Sequence, residues 1–152
     1  MKTNIELVNQ LLQYAEQGNM NAMAEYMTED FKFSGATPQP MNKNQFIDLM
    51  TSLTQAIPDW KFNVGTITET GDTVHLVNNI TGKNTGALNF PTLGLNKVPA
   101  TNRTISLPKE TIDAVIRNGQ ICEFRVVSTP GGGLMGIFRQ LGVKLPATAG
   151  TR

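Results

Sequence analysis

Asn118-Gly119 stands between two β-rich runs, about 103–116 and 120–128, and no other feature constrains the fold as much. Both residues tolerate positive φ, so Asn-Gly between alternating apolar residues predicts a tight hairpin. Strands this long need neighbours and a covered apolar face. The first half of the chain offers the cover. Thr3 and Glu6 form a capping box, and Ile5, Val8, Leu11, Leu12 and Ala15 then share one helical face until Gly18. Residues 21–27 read as a second short helix packed by Met23, Tyr26 and Met27. Phe31-Lys32-Phe33 alternates like a short strand. Asn42, with Gln45 three residues on, starts a third helix whose stripe is Phe46, Leu49, Met50 and Leu53 and which must end near Pro58.

From Trp60 the period changes to two. Trp60, Phe62 and Val64 share a phase, and after Gly71-Asp72 so do Val74, Leu76, Asn78 and Ile80. Helices first and a large antiparallel sheet afterwards is an α+β pattern. A chain of 152 residues is one domain, taken here as 1–145 with 146–152 as a flexible tail. The net charge of +1 with interspersed signs excludes a nucleic-acid footprint. There is no membrane-length apolar run and no signal-peptide core, so a cytoplasmic protein is expected. Cys122 has no second cysteine to pair with and reads as a small sheet residue.

The long run 103–116 carries a conflict of phase. Ile105 and Leu107 share one face, whereas Ile112, Ala114 and Ile116 share the other. A bulge near Pro108-Lys109 reconciles them and turns Glu110 onto the face of Ile112. Glu110 is then either a desolvated carboxyl suited to general acid/base work or a strand-end residue paired with Lys109 or solvent. Asn78, a polar residue in an apolar phase, either satisfies a core neighbour or faces a ligand. Asn84 either donates to a carbonyl or enolate oxygen or satisfies its own loop. Trp60, Phe62 and Phe90 line a pocket or fill the core. His75 is the single histidine and has no partner at metal-ligand spacing, so neither a metal nor any other cofactor is expected. Gly131-Gly132-Gly133 reads as a flexible joint, and Leu134–Gly142 as a short amphipathic element.

Four segments in order, Ile57-Pro58-Asp59-Trp60-Lys61-Phe62, Gly82-Lys83-Asn84-Thr85-Gly86, Pro99-Ala100-Thr101-Asn102-Arg103 and Gln140-Leu141-Gly142-Val143, resemble the SnoaL-like polyketide cyclases of the nuclear transport factor 2-like superfamily. The resemblance implies a cone-shaped, cystatin-like fold in which a long curved antiparallel sheet wraps about three N-terminal helices. Residues 87–96 make a longer loop than that family's minimum. It also implies cofactor-independent proton transfer at a ring-closing aldol centre. Ile112 stands at the family's acid/base Asp position, and Asn84 at that of an assisting His. Arg125 and Thr129 stand where the family has a Trp and a later Asp. Two functions therefore stay open. One is a cyclase, isomerase or dehydratase for a small hydrophobic carbonyl compound, with Glu110 as its catalytic group and Trp60, Asn78, Asn84, Phe90 and Ile112 around the ligand. The other is a non-catalytic ligand-binding or dimerisation module. Val77 and Val115 lie on phases opposite the pocket-facing ones, so a homodimer is expected through that outer face.

Overall fold

The computed structural model describes residues 2–127 and 129–144. The proposed 146–152 tail lies outside them. Helix α1 (Asn4–Glu16) opens on the Thr3–Glu6 capping box and buries Leu7, Val8, Leu11, Leu12 and Ala15. Helix α2 (Met20–Glu25) is short. Helix α3 (Lys43–Ala56) opens on the reciprocal Asn42–Gln45 box and buries Phe46, Leu49, Met50, Leu53 and Ala56. These faces pack into one curved six-stranded sheet of order β2-β1-β10-β9-β4-β3.

The strands of that sheet are β1 (Met27–Ser34), β2 (Met41–Asn42), β3 (Ile67–Thr70), β4 (Thr73–Asn78), β9 (Glu110–Arg117) and β10 (Gln120–Val127). β1 runs parallel to β10, and the other neighbours are antiparallel. The hairpin sits where Asn-Gly places it: Arg117 pairs with Gln120, and Asn118 and Gly119 have φ of 54° and 76°. Phe31, Phe33, Phe46 and Phe124 form the aromatic centre under the sheet, the Phe33–Phe46 centroids lying 4.6 Å apart.

Two expectations about strands need correction. Residues 60–66 are not a regular strand, although Trp60 and Phe62 are both buried. Asn63 turns the chain at φ 52°, and its amide donates to the Asn79 carbonyl and Thr81 Oγ1 at 3.0 and 2.8 Å. The Phe62 N–H is taken by Glu16 instead of a ladder partner. The run 103–116 is likewise two strands. β8 (Thr104–Ser106) pairs with β5 (Thr81–Lys83) in a separate small sheet, and β9 begins again at Glu110. The chain therefore leaves one sheet and enters another across 107–109. That break changes the phase, and Ile105, Leu107, Glu110, Ile112, Ala114 and Ile116 are all buried.

The 87–96 segment builds an arm of β6 (Leu88–Phe90), a 3₁₀ turn (Pro91–Leu93) and β7 (Leu95–Val98). Phe90 anchors it edge-to-face on Phe138 of α4 (Gly133–Leu141), with centroids 5.1 Å apart. Asn84 locks the neighbouring loop. Its Nδ2 donates to the Ala56 and Gly86 carbonyls at 2.8 and 2.9 Å, and its Oδ1 accepts from Thr101 N and Oγ1 at 2.7 and 2.9 Å. A fully buried amide with every bond made ties the end of α3 to the sheet. Asn84→Ala leaves those groups unpaired and is expected to lower unfolding free energy by about 2–4 kcal/mol. Urea titration of the two proteins checks this; an unchanged midpoint would remove the latch.

Candidate functional site

Glu110 opens β9 directly opposite Asn78, the last residue of β4. Both side chains point to the inner face, and both residues are buried. With Trp60, Phe62, Leu107, Ile112, Phe124 and other apolar residues of α1, α3 and α4, they line a cavity of about 70 Å³. Among the half-exposed members of its lining, Ala36, Thr37 and Gly133 lie together, because Leu134 N donates to the Ala36 carbonyl at 2.9 Å. The mouth is there.

The carboxylate of Glu110 meets the entry of α4. Its Oε2 accepts from Gly133 N at 3.1 Å. A Cβ at position 132 would lie 2.5 Å from that same oxygen, so any larger residue there would displace the carboxylate. Gly131 and Gly133 have φ of 84° and 68°. The triple glycine is thus a closely fitted turn seating Glu110, not the flexible joint expected from composition. Burial pushes the Glu110 carboxyl above the ordinary glutamate range, and the Gly133 N–H partly opposes that shift.

Asn78 differs from Asn84 in one respect that decides their roles. Neither Nδ2 nor Oδ1 of Asn78 has a hydrogen-bond partner among the described residues, and both atoms are out of water. The Trp60 indole N–H is likewise buried and unpartnered. An unmade buried hydrogen bond costs about 1–3 kcal/mol per group. Asn78 and Trp60 thus line an apolar cavity beside a carboxyl, their unpartnered polar atoms covered by neighbouring atoms. That set can bind a carbonyl or hydroxyl oxygen, and the carboxyl can exchange a proton with it or with an adjacent carbon.

Of the residues singled out in the sequence, the structure brings Trp60, Asn78, Glu110 and Ile112 to this cavity. Asn84 and Phe90 are not part of its lining. Asn84 has no donor left for a ligand, and Phe90 is spent on α4. Gly132 and Gly133 went unrecognised because what they fit is a side chain 22 or more residues away, and no local pattern records that. On the other face of the sheet, His75 Nδ1 lies 2.7 Å from Asp113 Oδ1, with Arg125 3.9 Å from the same carboxylate. Among the described residues no group of His, Cys, Asp and Glu is gathered closely enough to hold a metal ion.

The architecture is shared with solved structures of low sequence identity. One, named as a SnoaL-like polyketide cyclase of Jannaschia sp. CCS1, superposes with a TM-score of 0.71 at 19% identity, covering 93% of this chain and 92% of that one. IdmH of Streptomyces antibioticus, also named as a polyketide cyclase, gives 0.66 at 18%, covering 93% and 100%. A cystatin-fold protein of Novosphingobium aromaticivorans gives 0.63 at 10%, covering 84% and 100%. No curated protein matches the chain by sequence. The model of the SnoaL-like domain matches residues 8–124, the span that carries α1 to β10 and with it Trp60, Asn78 and Glu110, and the chain belongs to that family.

Proposed function

We propose that the cavity binds a small uncharged carbonyl compound and that Glu110 moves a proton on it, as in a cofactor-independent isomerase or cyclase. The observation that carries this is the buried, unpartnered amide of Asn78, a residue that lines the same cavity as Glu110. The Glu110 carboxylate takes a proton from the carbon next to the carbonyl. The electron pair moves onto the carbonyl oxygen, where Asn78 Nδ2 and Trp60 Nε1 donate to the developing enolate. The proton then returns to another atom, or the enolate carbon attacks a second carbonyl of the same molecule and Glu110 gives the proton to the alkoxide that forms. Because Ile112 and Asn84 stand where the SnoaL-like cyclases resembled above have acid/base groups, the work falls to Glu110. The same two residues support the second reading, a binding module without catalysis.

The small cavity suits the compact end of a ligand. It is well below the roughly 150 Å³ that accommodates benzene in an engineered core. Trp60 and Ile112 supply apolar walls to a hydrogen-bonding centre, the usual small-ligand design.

Asn78→Leu separates stability from function. An apolar side chain of similar volume removes two orphaned polar atoms, so the ligand-free protein is expected to gain about 1–3 kcal/mol while ligand binding is lost. Thermal unfolding and binding measured side by side check this; a destabilised variant would mean that Asn78 serves the core.

Glu110→Gln addresses the chemistry. With 2-butanone in D₂O, protein-catalysed exchange at the carbon next to the carbonyl, followed by NMR, is expected to fall about 10²–10⁴-fold. Wild-type protein that binds the ketone without exchanging it would favour the binding module. The same variant also has a signed pH effect on stability. A carboxyl raised on folding contributes least when ionised, so its stabilisation is complete below the unfolded value near 4.5 and is lost as pH rises through the higher folded value. Glu110→Gln is expected to be the more stable protein at pH 7, with the difference vanishing below pH 4.5.

The outer face of the sheet, with Val77 and Val115 around the His75–Asp113–Arg125 row, supports a homodimer through a self-complementary contact. Sedimentation is expected to give a dimer at micromolar concentration and a monomer for Val115→Glu. No described helix is long and apolar enough to cross a membrane, and Cys122 is a free thiol; both accord with a cytoplasmic protein.

A further inference from the structure

A second depression lies outside the mouth of the cavity. Its walls are Thr37, Pro38, Gln39, Pro40 and Met41 on one side and Pro91, Thr92, Leu93 and Gly94 on the other, with Gln45 between, and it holds about 420 Å³. Thr37 lines both this groove and the inner cavity. We propose that the groove is a second subsite of the same ligand site, taking the uncharged tail of an elongated molecule whose carbonyl end reaches Asn78. This rests on the inner-cavity reading above and extends it to the substrate class.

Volume is the first argument. About 70 Å³ holds a few heavy atoms, so any larger ligand must extend past the half-exposed rim, and Thr37 is the residue common to both linings. Composition is the second. No residue lining the groove is charged, and its surface alternates prolines, Met41 and Leu93 with neutral hydroxyls and amides. Such a surface accepts methylenes, ether oxygens or hydroxyls. It offers no cation for a phosphate or carboxylate. Rigidity is the third. Pro38, Pro40 and Pro91 have fixed φ, Gly94 closes the 3₁₀ turn at φ 74°, and Leu93 is buried beneath it. Phe90, which does not line the cavity, acquires a purpose here: on Phe138 it anchors the arm that carries the groove wall. A preformed groove loses less entropy on binding than a mobile loop.

The test is a series of methyl ketones from 2-butanone to 2-nonanone. Occupancy is read from the fluorescence of Trp60, the single tryptophan and a cavity-lining residue. Affinity is expected to keep rising along the series, by about 2- to 4-fold per methylene, since a fully buried methylene contributes up to about fourfold. Thr92→Arg and Gln39→Arg alter exposed groove positions away from Asn78. Each is expected to weaken 2-nonanone about tenfold and to leave 2-butanone unchanged. Affinity that stops rising once the inner cavity is full overturns the subsite, as does equal weakening of short and long ketones by the groove variants. Failure of 2-butanone itself to bind wild-type protein overturns the inner-cavity reading, and the subsite with it.

Discussion

Everything distinctive about this cone follows from the break between Leu107 and Glu110. Leu107 N donates to the Ile80 carbonyl at 2.8 Å, closing the small-sheet side, and Pro108 has no N–H to offer the next ladder. The chain crosses from β8 into β9 over 107–109 and changes phase as it does. Without that change Glu110 would face outward and the cavity would hold no carboxyl. With it, a carboxyl enters the interior opposite Asn78 and packs against the glycine entry of α4.

The inner cavity is stabilised less than it could be. Asn78 and Trp60 bring polar atoms into a dry space and leave them unmet, while burial opposes ionisation of Glu110. Elsewhere the same protein satisfies a buried amide completely, at Asn84. The contrast within one chain separates a buried amide whose bonds serve the fold from one whose bonds are unmade. A marginally stable domain tolerates such a cost because its core is large, running from α1 through the Phe31–Phe33–Phe46–Phe124 cluster to α4.

Family membership carries the scaffold and leaves the chemistry to the residues. The solved relatives share the cone at 19% identity or below, which speaks to the packing of helices on a curved sheet. Asn84 illustrates the limit: the resemblance implies an assisting histidine at its position, yet its bonds make it a structural latch. The arm at 88–98 adds a wall outside the mouth that a shorter loop would not supply.

Periodicity and punctuation were enough for the hairpin at Asn118-Gly119, the capping boxes of α1 and α3, the α+β order and the conflict of phase within 103–116, because each depends on residues within a few positions of one another; that Glu110 turns inward, across a change of sheet and not a bulge, came from the structure. The irregular path of 60–66 was not legible, since the Asn63 turn is held by Asn79 and Thr81 and the Phe62 N–H by Glu16, all distant in sequence. The seat of the Glu110 carboxylate was equally hidden: three consecutive glycines look flexible until the side chain they fit is in place. The two asparagines show the same division most sharply. Both were conspicuous polar residues in the sequence, and only the tertiary structure, by supplying partners to Asn84 and withholding them from Asn78, decided which is a strut and which is left unpartnered beside the cavity.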